Sequence, residues 1–128
     1  MITENIYYDL IESLKKSFLD MSLILKALGN EKRLKILIQL LEGPQSYGTI
    51  VEKMELKKTA VSNHLTKLIE TNLIERGDYG IYKISGDAIE FLKAIEGAYY
   101  KSPTRQIKKF ESLQRRSVST SFLNRFSG

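Results

Sequence analysis

The chain has 128 residues, 42% of them hydrophobic, which suits one domain with a real core, or one domain with a tail. It has no cysteine and a single histidine, His64, which excludes disulfides, thiolate metal sites, thiol nucleophiles and, within one chain, a histidine-rich zinc site. The net charge is +5, and no apolar run has the form of a secretory signal or nears the ~18 residues of a membrane span, so a cytoplasmic protein with no membrane association is expected.

In chain order, residues 3–28 read as a helix. Tyr7, Leu10, Ile11, Leu14, Phe18, Met21, Leu25 and Leu28 fall at gaps of three and four, one face of a 3.6-residue period. Gly29-Asn30 breaks the pattern, and Asn30 suits the N-cap of a second helix. That helix carries Leu34, Ile36, Leu37, Ile38, Leu40 and Leu41; apolar nearly all round, it should be central and buried. Gly43-Pro44 stops it. A short helix is expected over 48–54 with Ile50, Val51 and Met54 inward, then another over 58–71 with Val61, Leu65 and Leu68 on one side. After Asn72 the period changes to that of strands at 73–76 and 81–85, around Gly77-Asp78-Tyr79-Gly80, whose glycines can supply the positive φ of a tight hairpin. A further helix is expected from Asp87 to Tyr100 on Ile89, Phe91, Leu92 and Ile95. Pro103 interrupts or restarts it. Residues 104–115 form a candidate basic helix, and the Ser/Thr-rich stretch 117–128 is expected to be disordered.

Charge divides along the same line. Residues 101–128 hold seven Lys/Arg against one acid, and residues 1–100 hold 13 against 14. The basic excess is therefore wholly C-terminal, as expected of a segment facing an anionic partner or of a solvated basic tail. The expected organisation is a domain over 1–100 and a basic extension, partly helical or disordered, over 101–128. The order of elements is helix, helix, short helix, helix, hairpin, helix. The fold class is mainly α with a small β-hairpin: a winged helix-turn-helix with extra N- and C-terminal helices.

Particular residues then carry a family resemblance. Leu28, Arg33, Leu34, Ile36 and Leu37, followed by Ser62, His64, Leu65 and Leu68, followed by Asn72-Leu73-Ile74, resemble the ArsR-type winged-helix repressors over about residues 20–95. The resemblance implies a dimeric DNA-binding regulator whose terminal helices form the dimer interface, here Leu10, Leu14 and Phe18 with Leu92 and Ile95. It does not carry over the family's Cys-x-Cys metal box, because the equivalent stretch is Gln45-Ser46-Tyr47-Gly48-Thr49. Nor does a C-terminal metal site carry over, since no histidine lies there. No metal and no cofactor are expected, and the sequence names no small-molecule effector. Where the family usually has Ser at the recognition-helix N-cap, this chain has Lys57. A lysine there caps nothing; it either meets a phosphate together with the free amides or is a tolerated surface residue.

On the helix 58–71, at about 100° per residue, Thr59, Ser62, Asn63 and Thr66 share the face opposite Val61, Leu65 and Leu68. Short donors and acceptors without net charge suit base edges in a major groove: Asn63 could pair bidentately with adenine, and Thr59 or Thr66 could touch a thymine methyl. Lys57, Lys58 and Lys67 flank that face and could reach phosphates. On the wing, 73–85, Arg76 and Lys83 are the candidate contacts. Tyr79 either stacks on a sugar or covers the hairpin. His64 lies on the shoulder between the two faces and is expected to be an orienting group bonded to backbone or phosphate rather than a catalytic one. Tyr47, Tyr82, Tyr99 and Tyr100 are expected in core or interface rather than around a ligand. The expected partners are double-stranded DNA and a second copy of the chain. The alternative is a winged-helix protein–protein interaction module of the transcription machinery. An enzyme is not expected, because the chain has no paired-carboxylate motif and no phosphate-cradling glycine loop.

Overall fold

The computed structural model describes residues 5–126, and the side chains of residues 5–115. Its N-terminal stretch is two helices where the apolar spacing suggested one: α1 (Tyr8–Lys16) and α2 (Phe18–Leu28) part at Ser17, whose φ of −113° and ψ of 17° leave the helical range. The Ser17 side chain makes no capping hydrogen bond. The apolar spacing crosses Ser17 unbroken, so periodicity carried no sign of the joint.

The next joint was legible. Asn30 caps α3 (Glu31–Leu40), its side-chain oxygen accepting from the amides of Lys32 and Arg33 at 3.0 and 3.1 Å. Arg33 closes the other side: its Nε and Nη2 donate to the carbonyls of Ala27 and Lys26 at 2.9 and 3.0 Å. The open carbonyls at the end of α2 thereby gain partners. The expectation that α3 is buried all round needs correction. Ile36, Leu37 and Leu40 are enclosed, but Ile38 and Leu41 face solvent. One buried stripe suffices to hold α3 against α2, α4, α5 and β3.

A two-residue strand, β1 (Gln45–Ser46), follows and runs straight into α4 (Tyr47–Met54). Ser46 caps α4, its Oγ accepting from the Thr49 amide at 3.2 Å. Gln45 is buried and ties β1 to α3, with its amide nitrogen donating to the Gln39 carbonyl at 3.1 Å. A left-handed Glu55 (φ 55°) turns the chain into α5 (Lys58–Glu70), which buries Val61, Leu65 and Leu68 as the spacing predicts. The end of α5 is closed by a paired turn: the Leu73 amide donates to Leu68 and the Asn72 amide to Ile69, at 2.9 and 3.0 Å. Asn72 takes the left-handed conformation (φ 58°) that this turn demands.

The wing is β2 (Ile74–Arg76) and β3 (Ile81–Ile84), antiparallel, with Ile74 opposite Ile84. β1 adds to the far side of β3, giving the order β1-β3-β2. Two residues are too few to show strand alternation, so β1 was not legible. At the tip the positive φ falls on Tyr79 (62°) and Gly80 (67°), whereas Gly77 is in ordinary extended backbone. Ser85 then joins three elements. Its amide donates to the Leu73 carbonyl at 3.0 Å. Its hydroxyl donates to the Asn72 carbonyl at 2.8 Å and accepts from the Ala88 amide, in the first turn of α6 (Gly86–Lys101), at 3.1 Å.

The described residues fall into two compact units, divided between Ile89 and Glu90. The second holds the rest of α6 and α7 (Pro103–Phe126). Proline is well placed in the first turn of a helix, where its missing N–H costs nothing. The backbone of α7 runs helical through residues 117–126, which were expected to be without regular structure. Ser and Thr are abundant there, but neither Gly nor Pro interrupts the stretch. Within this unit Tyr99 and Tyr100 meet edge to face at 5.2 Å, with Arg105 over the first ring and Lys109 over the second, at 5.8 and 5.0 Å. Residues 127–128 lie outside the described residues.

Candidate nucleic-acid interface

Two helices at a short turn, α4 and α5, present one exposed surface. Burial of Val61, Leu65 and Leu68 against the rest of the unit fixes the roll of α5 and turns Thr59, Ser62, Asn63 and Thr66 outward together. All four are exposed, as their spacing predicts. The face is not a set of free side chains, however. The Tyr47 hydroxyl, from the first residue of α4, donates to the Lys58 carbonyl at 2.8 Å and lies 2.9 Å from the Ser62 hydroxyl. The Thr66 hydroxyl donates to the Ser62 carbonyl at 2.9 Å. Sequence reading missed the role of Tyr47, because the contact crosses the turn between two helices and no periodicity connects the partners.

The cations divide into two sorts. Lys57 is the N-cap of α5, in extended backbone, and makes no side-chain capping bond. Lys57 and Lys58 are exposed and have no ion pair among the described residues. Lys67 is paired with Glu70 at 3.6 Å, and Lys83 with Glu75 across the wing at 3.7 Å. Arg76, opposite Tyr82 in the wing register, has its guanidinium 5.9 Å from that ring's centroid. The wing tip carries Tyr79, which is 99% exposed. It does not cover the hairpin, so that alternative is removed.

His64 is half-buried and makes no hydrogen bond among the described residues, so of the two partners expected for it, backbone or phosphate, the backbone is not found. Burial first, then the positive charges of Arg33 and Lys32, hold its imidazole below the ordinary value. It is therefore favoured as a neutral group. Of the other tyrosines, Tyr82 is buried, while Tyr99 and Tyr100 are about half exposed.

Away from this surface, α1 has no buried residue, and Leu10, Leu14 and Phe18 are 54%, 44% and 68% exposed. Ile95 in the second unit is exposed and Leu92 half-buried.

Residues 30–76 match the family described as bacterial regulatory protein, arsR family. The match begins at the Asn30 cap and ends in β2, so it takes in α3, both helices of the turn and half of the wing. The chain is 34% identical over 64 residues to the transcriptional activator HlyU of Vibrio cholerae, covering 50% of this chain and 59% of that one. It is 37% identical over 79 residues to the nodulation protein NolR of Rhizobium meliloti, covering 59% of this chain and 65% of that one. The chain thus spans less than two thirds of the length of these curated relatives. The structure of reduced HlyU from Vibrio cholerae N16961 is similar at a TM-score of 0.59 and 26% identity, over 71% of this chain and 99% of that one. The matching family is one of regulatory proteins, not of enzymes.

Proposed function

The chain carries an ArsR-family winged helix-turn-helix domain, and from that premise we propose that it is a transcriptional regulator, working in the cytoplasm, that binds a specific double-stranded DNA sequence as a homodimer. The observation that carries the reading is the outward face of α5. It is an uncharged, short-chained polar surface on the second helix of the turn, flanked by lysines. A face of that kind fits a major groove, where base edges are read by short donors and acceptors. Asn63 is the adenine reader, and Thr59 and Thr66 face thymine methyls. Lys57, Lys58 and Lys67 hold phosphates and set register. From the wing, Arg76 and Lys83 contact flanking DNA. Lys67 and Lys83 exchange exposed carboxylate partners for phosphates, which costs little because exposed ion pairs are weak.

Dimerisation is supported by α1 and the first residue of α2. An isolated chain leaves Leu10, Leu14 and Phe18 in water, and exposed apolar rows of this kind mark interaction surfaces. Leu92 and Ile95, in the second unit, are proposed as further interface residues. Residues 1–100 then form the DNA-binding domain with its dimerisation helix, and 101–128 a basic extension.

Two substitutions test the reading. Asn63→Ala should cost ~1–3 kcal/mol on the preferred duplex and relax the choice of base at one position. Lys58→Ala should weaken preferred and random duplexes alike. Equal losses on both duplexes for Asn63→Ala would show that Asn63 reads no base. Binding to neither duplex would favour the protein-interaction alternative.

A further inference from the structure

The hydroxyl protons around Tyr47 can be counted. A tyrosine hydroxyl has one proton, and a carbonyl can only accept. The 2.8 Å contact with the Lys58 carbonyl therefore uses the Tyr47 proton. The 2.9 Å contact between Tyr47 and Ser62 must then run the other way, with Ser62 donating to the phenolic oxygen. Ser62 has no second proton. What it still offers to solvent is lone pairs. Thr66 is in the same condition, because its hydroxyl donates to the Ser62 carbonyl. Both hydroxyls at the middle of the exposed face are thus acceptors only, and Thr66 adds its methyl group.

Resting on the proposed DNA reading, we infer that Tyr47 is a positioning residue that fixes Ser62 as a hydrogen-bond acceptor, so that Ser62 selects a base bearing an exocyclic amino group. In the major groove only adenine N6 and cytosine N4 donate; guanine O6 and N7, adenine N7 and thymine O4 accept. An acceptor-only serine is matched to the first pair and repelled by the rest. It is equally unsuited to phosphate, which also accepts. Tyr47 acts at a distance from the base, from the first turn of α4, and at the same time pins the first turn of α5 to α4 through Lys58. The selectivity comes from proton placement rather than from shape, since serine by itself can either donate or accept.

The test uses the full chain and duplexes carrying single base changes in the preferred site. Ser62→Ala identifies the position that Ser62 reads, as the position where discrimination is lost. At that position the wild-type protein should prefer adenine or cytosine on the contacted strand. Replacing that base by purine or pyrimidin-2-one, which lack the amino group, should weaken wild-type binding by about three- to tenfold and leave Ser62→Ala unaffected. Tyr47→Phe should lose discrimination at the same position and keep it elsewhere, with Ser62→Ala adding nothing further in the double variant. A wild-type preference for guanine or thymine at that position overturns the inference. So does full discrimination by Tyr47→Phe, or a uniform loss at every position, which would mark a packing role. A wild-type protein that binds all duplexes alike contradicts the DNA reading itself, and the two failures are therefore distinguishable.

Discussion

His64 shows how single-residue environment enters the stability of this domain. Burial and the charges of Arg33 and Lys32 lower its proton affinity in the folded chain, so the unfolded chain binds more protons wherever the two differ. Stability is then full above the unfolded value of about 6.5, declines as pH falls from there through the native value, and levels off below it. In His64→Gln this contribution is absent. The melting temperature of the wild type relative to that variant should therefore fall between about pH 8 and about pH 5. A relative rise over the same interval would mean that folding stabilises the protonated ring and would contradict the environment described. Asn72 works at the same scale: it supplies the left-handed residue that closes α5, a conformation that costs most L-residues roughly 1–2 kcal/mol and asparagine less.

At the scale of elements, legibility followed the physical origin of each signal. The cap at Asn30, the buried stripe of α5 and the restart at Pro103 are local or periodic, and the sequence displays them directly. The β1 strand and the Tyr47–Ser62 contact depend on tertiary partners and leave no local mark, and the apolar period runs through the break at Ser17 without a change. Among the candidate site residues, Thr59, Ser62, Asn63 and Thr66 share a face because helical period alone decides it. The ion pairs of Lys67 and Lys83 arise from where side chains meet, one of them across two strands. The first two helices carry their own prediction. The apolar row of Leu10 and Leu14 in α1 and Phe18 at the start of α2 is exposed in one chain, so the proposed dimer should depend on it. Leu14→Glu with Phe18→Glu should give monomers by sedimentation without loss of helical content. A wild-type chain that sediments as a monomer at tens of micromolar would remove the dimer proposal.

For the whole molecule, charge separation is the dominant feature: residues 1–100 are close to neutral and residues 101–128 strongly basic. At 100° per residue, Arg105, Lys108, Lys109 and Arg115 lie on one arc of α7. Ile107, Phe110 and Leu113 lie on another, each more than half exposed. If the cationic arc holds phosphates, deleting residues 104–128 should reduce the slope of log affinity against log salt by ~0.9 for each phosphate that the arc neutralises, with base preference and melting temperature retained. If instead the apolar arc packs on a second copy, deletion should lower the melting temperature and leave the slope unchanged. The central claim, that a dimer reads sequence through α5, meets its most direct test in selection of bound duplexes from a random library by the full-length protein. Enrichment of an inverted repeat is expected, its half-sites about one helical turn apart (~34–36 Å), that stays bound at a salt concentration releasing random DNA. Recovery of no common sequence, or of duplexes that dissociate together with random DNA as salt rises, would contradict it.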